Sequence, residues 1–114
     1  PYTIQKEAGF EPRVFLLADE GYPSYATMVL SPDAFARDNA DALRSFIAAS
    51  VEGWRDYMRG DPSAANALIR EANPEMTQDV LDQARAKLSE YGIVDSGDAA
   101  LYGLGAMTED RWRQ

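Results

Sequence analysis

The residues best suited to chemistry lie in one short acidic and aromatic turn over 19–23, with Tyr25 just beyond it. A carboxylate accepts hydrogen bonds from ring and exocyclic N–H groups, and a tyrosine adds a flat stacking face and a hydroxyl. This combination suits a small heterocycle that donates hydrogen bonds. The predicted ligand-binding residues are therefore Asp19, Glu20, Tyr22 and Tyr25. A solvated turn with one tyrosine packed inward fits the same residues, and this alternative stays open.

The side-chain inventory excludes several kinds of reactive site. The chain has no cysteine and no histidine, so it offers no thiol nucleophile, no imidazole base and no Cys/His zinc site. Two adjacent acidic pairs, Asp19/Glu20 and Glu109/Asp110, have no basic or nucleophilic partner at a defined spacing, and they fit turn and helix-start chemistry. We therefore predict no catalytic residue, no metal and no cofactor.

Charge and length limit the partners. The formal net charge is −8, and the acidic residues are spread along all 114 positions. Such a surface repels phosphate backbones, which excludes nucleic acid as a partner. The hydrophobic content of 46% allows one buried core. No apolar run approaches the roughly 18 residues that a membrane helix needs.

The sequence predicts that two strands flank the turn and that a helix follows the second strand. A helix over 2–8, closed by Gly9, precedes them. Residues 13–17 and 25–30 are apolar runs rich in β-branched and aromatic side chains, and turn signals bound them, which predicts two neighbouring strands of a small sheet. Ser31 and Pro32 then mark a helix start.

Three consecutive amphipathic helices are predicted after this start. Apolar residues at three- and four-residue spacing predict a long helix from about Asn39 to Arg59, which Gly60 ends. A shorter helix restarts at Asp61-Pro62 and ends at Asn73-Pro74, and Thr77 caps a third that Gly92 closes. We expect the long helix to bury Phe46, Ile47 and Trp54. A glycine-punctuated loop over 95–107 and a helix starting at 108 follow.

Several segments, taken in order, resemble one protein family. They are residues 17–25 (LADEGYPSY), 46–54 (FIAASVEGW), 60–62 (GDP) with 64–66 (AAN), 90–99 (EYGIVDSGDA) and 103–108 (GLGAMT). The chain resembles the ABC-transporter substrate-binding proteins similar to thiamine-pyrimidine-precursor, taurine and nitrate/sulfonate binders. The resemblance extends over nearly the whole chain.

The resemblance implies an α/β fold, namely the helix-rich C-terminal part of a two-lobed type II periplasmic-binding-protein fold. Residues 1–18 would end the second lobe, residues 19–30 would cross between lobes, and residues 31–114 would pack on the first lobe as one compact unit. The implied function is non-enzymatic. The protein would capture a small molecule, such as a thiamine-pyrimidine-like precursor, and deliver it to an ABC permease from a periplasmic or lipid-anchored position.

Two alternatives remain. A pyrimidine-precursor synthase of the same fold family is understood to rely on histidine and cysteine, and this chain has neither. A stand-alone helical interaction module would need no further segment. If the chain is instead a C-terminal fragment, its unpaired strand edges and uncovered apolar faces predict self-association.

Overall fold

The computed structural model describes residues 1–22 and 24–113, and the regular structure within these residues is helical. A 3₁₀ turn spans Leu17–Glu20. The α-helices are α1 Tyr2–Ala8, α2 Asp33–Asp38, α3 Ala40–Arg59, α4 Ser63–Ala72, α5 Gln78–Glu90, α6 Asp98–Tyr102 and α7 Glu109–Trp112.

The predicted α/β class is wrong, because the described residues contain no β-strand. Neither predicted strand, 13–17 or 25–30, forms a ladder with a partner segment in the described part of the chain. Leu17 belongs to the 3₁₀ turn. Apart from Tyr25, the apolar side chains of both runs are exposed to solvent, and Leu30 is 95% exposed. Strand preference mainly reflects packing on neighbouring strands, so β-branched and aromatic residues do not form a strand alone.

A small packed region joins α3, α4 and α5. Leu81 of α5 is the one large hydrophobic residue that is buried among the described residues, at 3% exposure, and Asn66 of α4 is buried beside the end of α3. The Tyr57 hydroxyl donates a hydrogen bond to Asn66 Oδ1 at 3.0 Å, which satisfies the buried amide oxygen. Helix α4 also packs against α5.

Most of the α3 surface is not covered. The expectation that Phe46, Ile47 and Trp54 are buried is wrong, because about half of each side chain is exposed. Trp54 packs edge-on against Tyr57 in the next turn of the same helix, with ring centroids 6.2 Å apart. An amphipathic pattern predicts which face of a helix is apolar, but the chain must still supply something to cover that face.

The shape of the molecule reflects this missing cover. A folded monomer of 12.6 kDa is expected to expose about 6,200 Å², whereas this chain exposes 9121 Å². The radius of gyration is 16.8 Å, compared with about 13 Å for a compact domain of this length. The helices therefore form an open arrangement around a small core.

Helix α1 is held against α5 by one carboxylate. The Tyr2 hydroxyl and Lys6 Nζ donate hydrogen bonds to Asp79 Oδ2 at 2.8 Å and 2.7 Å, and the Thr77 hydroxyl donates to Asp79 Oδ1 at 2.6 Å. The bond from Lys6, followed by those from Thr77 and Tyr2, holds the pKa of Asp79 well below its usual value. Thr77 stands at the predicted helix start, but its side chain bonds Asp79 instead of capping the backbone.

We expect the contact between α1 and α5 to weaken in acid. A carboxyl whose pKa is lower in the folded than in the unfolded state stabilises the fold above its unfolded pKa, near 4, and this stabilisation is lost as the pH falls towards the folded pKa. Helix α1 should therefore stay docked at pH 7 and separate progressively below about pH 4. Nuclear Overhauser effects between the Tyr2 ring and α5, followed through an acid titration, measure this.

Asp79→Asn should release α1 already at neutral pH, because the amide carries no charge to attract Lys6. Asp82→Asn is the matched control, since Asp82 accepts a hydrogen bond from Gln78 within α5 itself. Loss of the Tyr2 signals to the same extent in both variants would contradict the role assigned to Asp79.

Candidate functional site

The predicted binding turn is built on a short 3₁₀ helix over Leu17–Glu20. Its backbone is closed by bonds from Asp19 N to Leu16 O at 3.1 Å and from Tyr22 N to Leu17 O at 3.1 Å. Gly21 follows with φ 86°, a left-handed conformation that favours glycine. A glycine therefore stands at the position that ends the 3₁₀ helix in a left-handed conformation.

Three of the four predicted site residues share this turn. Asp19 and Glu20 lie in its last two positions and are exposed, and Tyr22 follows with 64% of its surface exposed. Pro23, which belongs to the predicted turn, lies outside the described residues. The turn thus presents two carboxylates and one aromatic ring to solvent.

Tyr25 has a different environment. Its hydroxyl donates a hydrogen bond to Asp98 Oδ2 and accepts one from the backbone N–H of Thr108 at 2.8 Å. The Thr108 hydroxyl donates to the same carboxylate oxygen at 3.1 Å. Tyr25 is therefore tied to residues 73 and 83 positions further along the chain.

Two side chains of α7 complete the surroundings of Tyr25. The Arg111 guanidinium carbon lies 4.5 Å from the centre of the Tyr25 ring, and the Trp112 ring centroid lies 5.4 Å from it at an interplanar angle of 51°. Arg111 Nη1 also approaches Asp98 Oδ2 at 4.0 Å. We call the group Tyr25, Asp98, Thr108, Arg111 and Trp112 the Tyr25 cluster.

The geometry divides the predicted residues by what they can offer a ligand. Asp19 and Glu20 can accept hydrogen bonds, and Tyr22 can offer both its ring and its hydroxyl. The Tyr25 hydroxyl already donates one hydrogen bond and accepts another, and its ring contacts Arg111 and Trp112, so Tyr25 offers less to a ligand than Tyr22 does. The role of all four residues in binding stays a prediction.

Other parts of the described chain offer little reactive chemistry. No group of three or more acidic side chains is arranged to hold a metal ion within residues 1–22 and 24–113. A shallow depression of about 350 Å³ is lined by Met58, Asp82, Arg85, Ala86 and Ser89. Its only cation, Arg85, is committed to backbone carbonyls of Tyr57, Met58 and Gly60. Across the same described ranges, no helix has the length and apolar character needed to cross a membrane.

Sequence reasoning located the turn but missed the partners of Tyr25. Asp98 was interpreted as part of a glycine-punctuated loop, and Thr108 as the start of a helix. Their contact with Tyr25 joins segments far apart in sequence, and no periodicity or motif signals such a pair. Gly97, with φ 58°, directly precedes Asp98 at the start of α6.

Comparison with known protein families gives a match to the first part of the chain. The model described as "NMT1: NMT1/THI5 like" matches residues 2–65, which is more than half of the chain. The matched range contains all four predicted site residues and ends within α4. Searches of curated proteins and of solved structures returned no match.

Proposed function

Because the chain belongs to the NMT1/THI5-like family, we propose that it is part of the solute-binding component of an ABC importer. The family consists mostly of substrate-binding proteins rather than catalysts. The observation that carries the proposal is the family match itself, since it spans the turn that presents Asp19, Glu20 and Tyr22. The component would act outside the cytoplasm, in the periplasm or on a lipid anchor, and would deliver its ligand to a permease.

The proposed placement within such a protein follows the chain order. Residues 1–18 end one lobe, residues 19–30 cross between lobes, and residues 31–114 pack on the other lobe. The large exposed area supports this placement, because half-exposed apolar side chains on α3 need a covering surface. The crossing segment would then line the cleft in which a ligand is held.

The proposed ligand is a small polar molecule, most plainly a heterocycle such as a thiamine-pyrimidine precursor. Asp19 and Glu20 would accept hydrogen bonds from amino or ring N–H groups, and Tyr22 would stack on the ring. A desolvated donor left without its partner costs about 1–3 kcal/mol. Losing one contacting carboxylate should therefore weaken binding roughly ten- to a hundredfold.

Calorimetry of the two-lobed protein tests this proposal. An aminopyrimidine, riboflavin and taurine serve as probes, so that heterocyclic, flavin and sulfonate ligands are compared. Asp19→Ala, Glu20→Ala and Tyr22→Ala are each expected to lower the affinity for the bound probe.

The controls match the variants in type and exposure. Asp41→Ala removes an exposed carboxylate of α3 that bonds Arg44, and Tyr102→Ala removes an exposed tyrosine of α6. Both should leave affinity unchanged. If all three turn variants bind as tightly as the controls, the turn is a structural hinge.

A further inference from the structure

The Asp98 carboxylate is the less exposed of the two charged groups in the Tyr25 cluster. Its side chain is 18% exposed, compared with 31% for Arg111. One oxygen, Oδ2, accepts hydrogen bonds from both the Tyr25 and the Thr108 hydroxyls and lies 4.0 Å from Arg111 Nη1. A carboxylate in this position acts as a fixed acceptor, and hydrogen bonds to a charged group are stronger than neutral ones.

The hydrogen-bond pattern makes Tyr25 an intermediary. A tyrosine hydroxyl has one proton and rotates to suit its partners. When that proton points to Asp98, a lone pair is left for the Thr108 N–H, which lies 2.8 Å away. Asp98 therefore orients the Tyr25 hydroxyl that accepts the Thr108 N–H hydrogen bond, although Asp98 itself is not part of that bond.

We infer that Asp98 is a positioning residue that orients Tyr25 and thereby holds the segment around Tyr25 against residues 98–112. The Tyr25 hydroxyl is reserved for this contact. Tyr22 is then the tyrosine of the turn whose hydroxyl is available to a ligand. This last step rests on the proposed function, whereas the positioning itself does not.

Hydrogen exchange of the Thr108 amide in the 114-residue chain tests the positioning. Tyr25→Phe removes the acceptor of this amide, and Asp98→Ala removes the group that orients the acceptor. Each variant is expected to speed exchange roughly tenfold, the size of one net hydrogen bond. Because the Thr108 hydroxyl also bonds Asp98 directly, the double variant is compared with Tyr25→Phe in a Thr108→Val background, where Asp98→Ala should speed exchange of the residue-108 amide no further.

Asp98→Asn is the conservative variant, since it keeps an acceptor oxygen of the same shape and should retain part of the protection. The Leu81 amide, which bonds Thr77 O at 3.1 Å within the α5 start, is the internal reference and should not change. If Asp98→Ala unfolds the chain, so that Leu81 also loses protection, Thr108 exchange in Asp98→Asn becomes the test of the positioning role. Unchanged Thr108 exchange in the folded Asp98 variants, or effects that multiply in the double variant in the Thr108→Val background, would overturn the inference.

The same variants in calorimetry separate this inference from the proposed function. Asp98→Ala should weaken binding of an aminopyrimidine probe, but it should cause no further loss in a Tyr25→Phe background. A further loss in that background would show that Asp98 acts independently of Tyr25 and would overturn the inference. If the unaltered protein binds none of the probes, the proposed function fails, while the exchange experiment still decides the role of Asp98.

Discussion

Replacing Arg85 with alanine is expected to lower the free energy of unfolding by about 2–4 kcal/mol. Arg85 Nε donates a hydrogen bond to Tyr57 O at 2.8 Å, and its Nη2 donates to Met58 O at 2.9 Å and to Gly60 O at 3.2 Å. One guanidinium on α5 thus ties down the end of α3.

The size of the effect follows from the position of these carbonyls. The last four C=O groups of a helix have no partner within it, and they carry the negative end of the helix dipole. A planar cation with several fixed donors satisfies them better than water does. Removing it leaves these acceptors unpaired and also separates α5 from α3, beside the small core around Leu81.

Urea denaturation followed by circular dichroism measures the loss. Arg85→Lys should fall between the unaltered chain and Arg85→Ala, because an ammonium keeps the charge but cannot fork between carbonyls. Arg70→Ala, which removes an exposed arginine from α4, is the matched control. A loss for Arg85→Ala no greater than that for Arg70→Ala would rule out the capping role.

Helix positions were the most predictable part of the fold, because local signals determine them. The long helix was predicted from about Asn39 to Arg59 and spans Ala40–Arg59. The third was predicted between a cap at Thr77 and a closing Gly92, and it spans Gln78–Glu90. Glycine, proline and polar residues act on the backbone within a turn of where they stand. The capping side chains were less predictable, since neither Asn39 nor Thr77 caps its helix by a side-chain bond.

Burial and pairing were not predictable from the same signals. A run such as 13–17 indicates strand preference, but a ladder requires a second segment that the run does not specify. Phe46 and Trp54 mark an apolar face, but not whether any surface covers it. The contacts of Arg85 with α3 and of Asp98 with Tyr25 depend on how distant segments meet.

The candidate site shows the same division. Its turn was located from residue types alone, because acidic residues, a glycine and tyrosines are clustered within seven positions. The different environment of Tyr25 depends on residues 97–112, and so the sequence did not separate it from Tyr22.

We expect the chain on its own to self-associate through its uncovered apolar surface. Among the exposed residues of α3 are Phe46, Ile47 and Trp54, spaced so that they share one side of the helix. Covering apolar area contributes about 25 cal/mol per Å², while the net charge of −8 opposes contact between copies. Raising the salt concentration should therefore promote association, because it screens the charge and leaves the apolar contribution in place.

Sedimentation velocity and light scattering across a concentration series measure the association. Phe46→Gln together with Trp54→Gln should raise the concentration at which oligomers appear by roughly tenfold or more, because less apolar area remains to be covered. Leu101→Gln serves as the control, because it removes a leucine of α6 that is 76% exposed, compared with 57% for Phe46 and 46% for Trp54. A strictly monomeric chain at about 1 mM and high salt would contradict the prediction, since screened chains at that concentration should associate.

The same pair of substitutions separates self-association from the proposed packing between lobes. If α3 faces the other lobe in the two-lobed protein, Phe46→Gln with Trp54→Gln should destabilise that protein while leaving the helix content of the isolated chain unchanged. Each buried aromatic lost from such an interface should reduce stability by about 3–5 kcal/mol at full burial, whereas an exposed one contributes little in the isolated chain. Equal thermal midpoints for the altered and unaltered two-lobed proteins would place this face of α3 in solvent in both contexts.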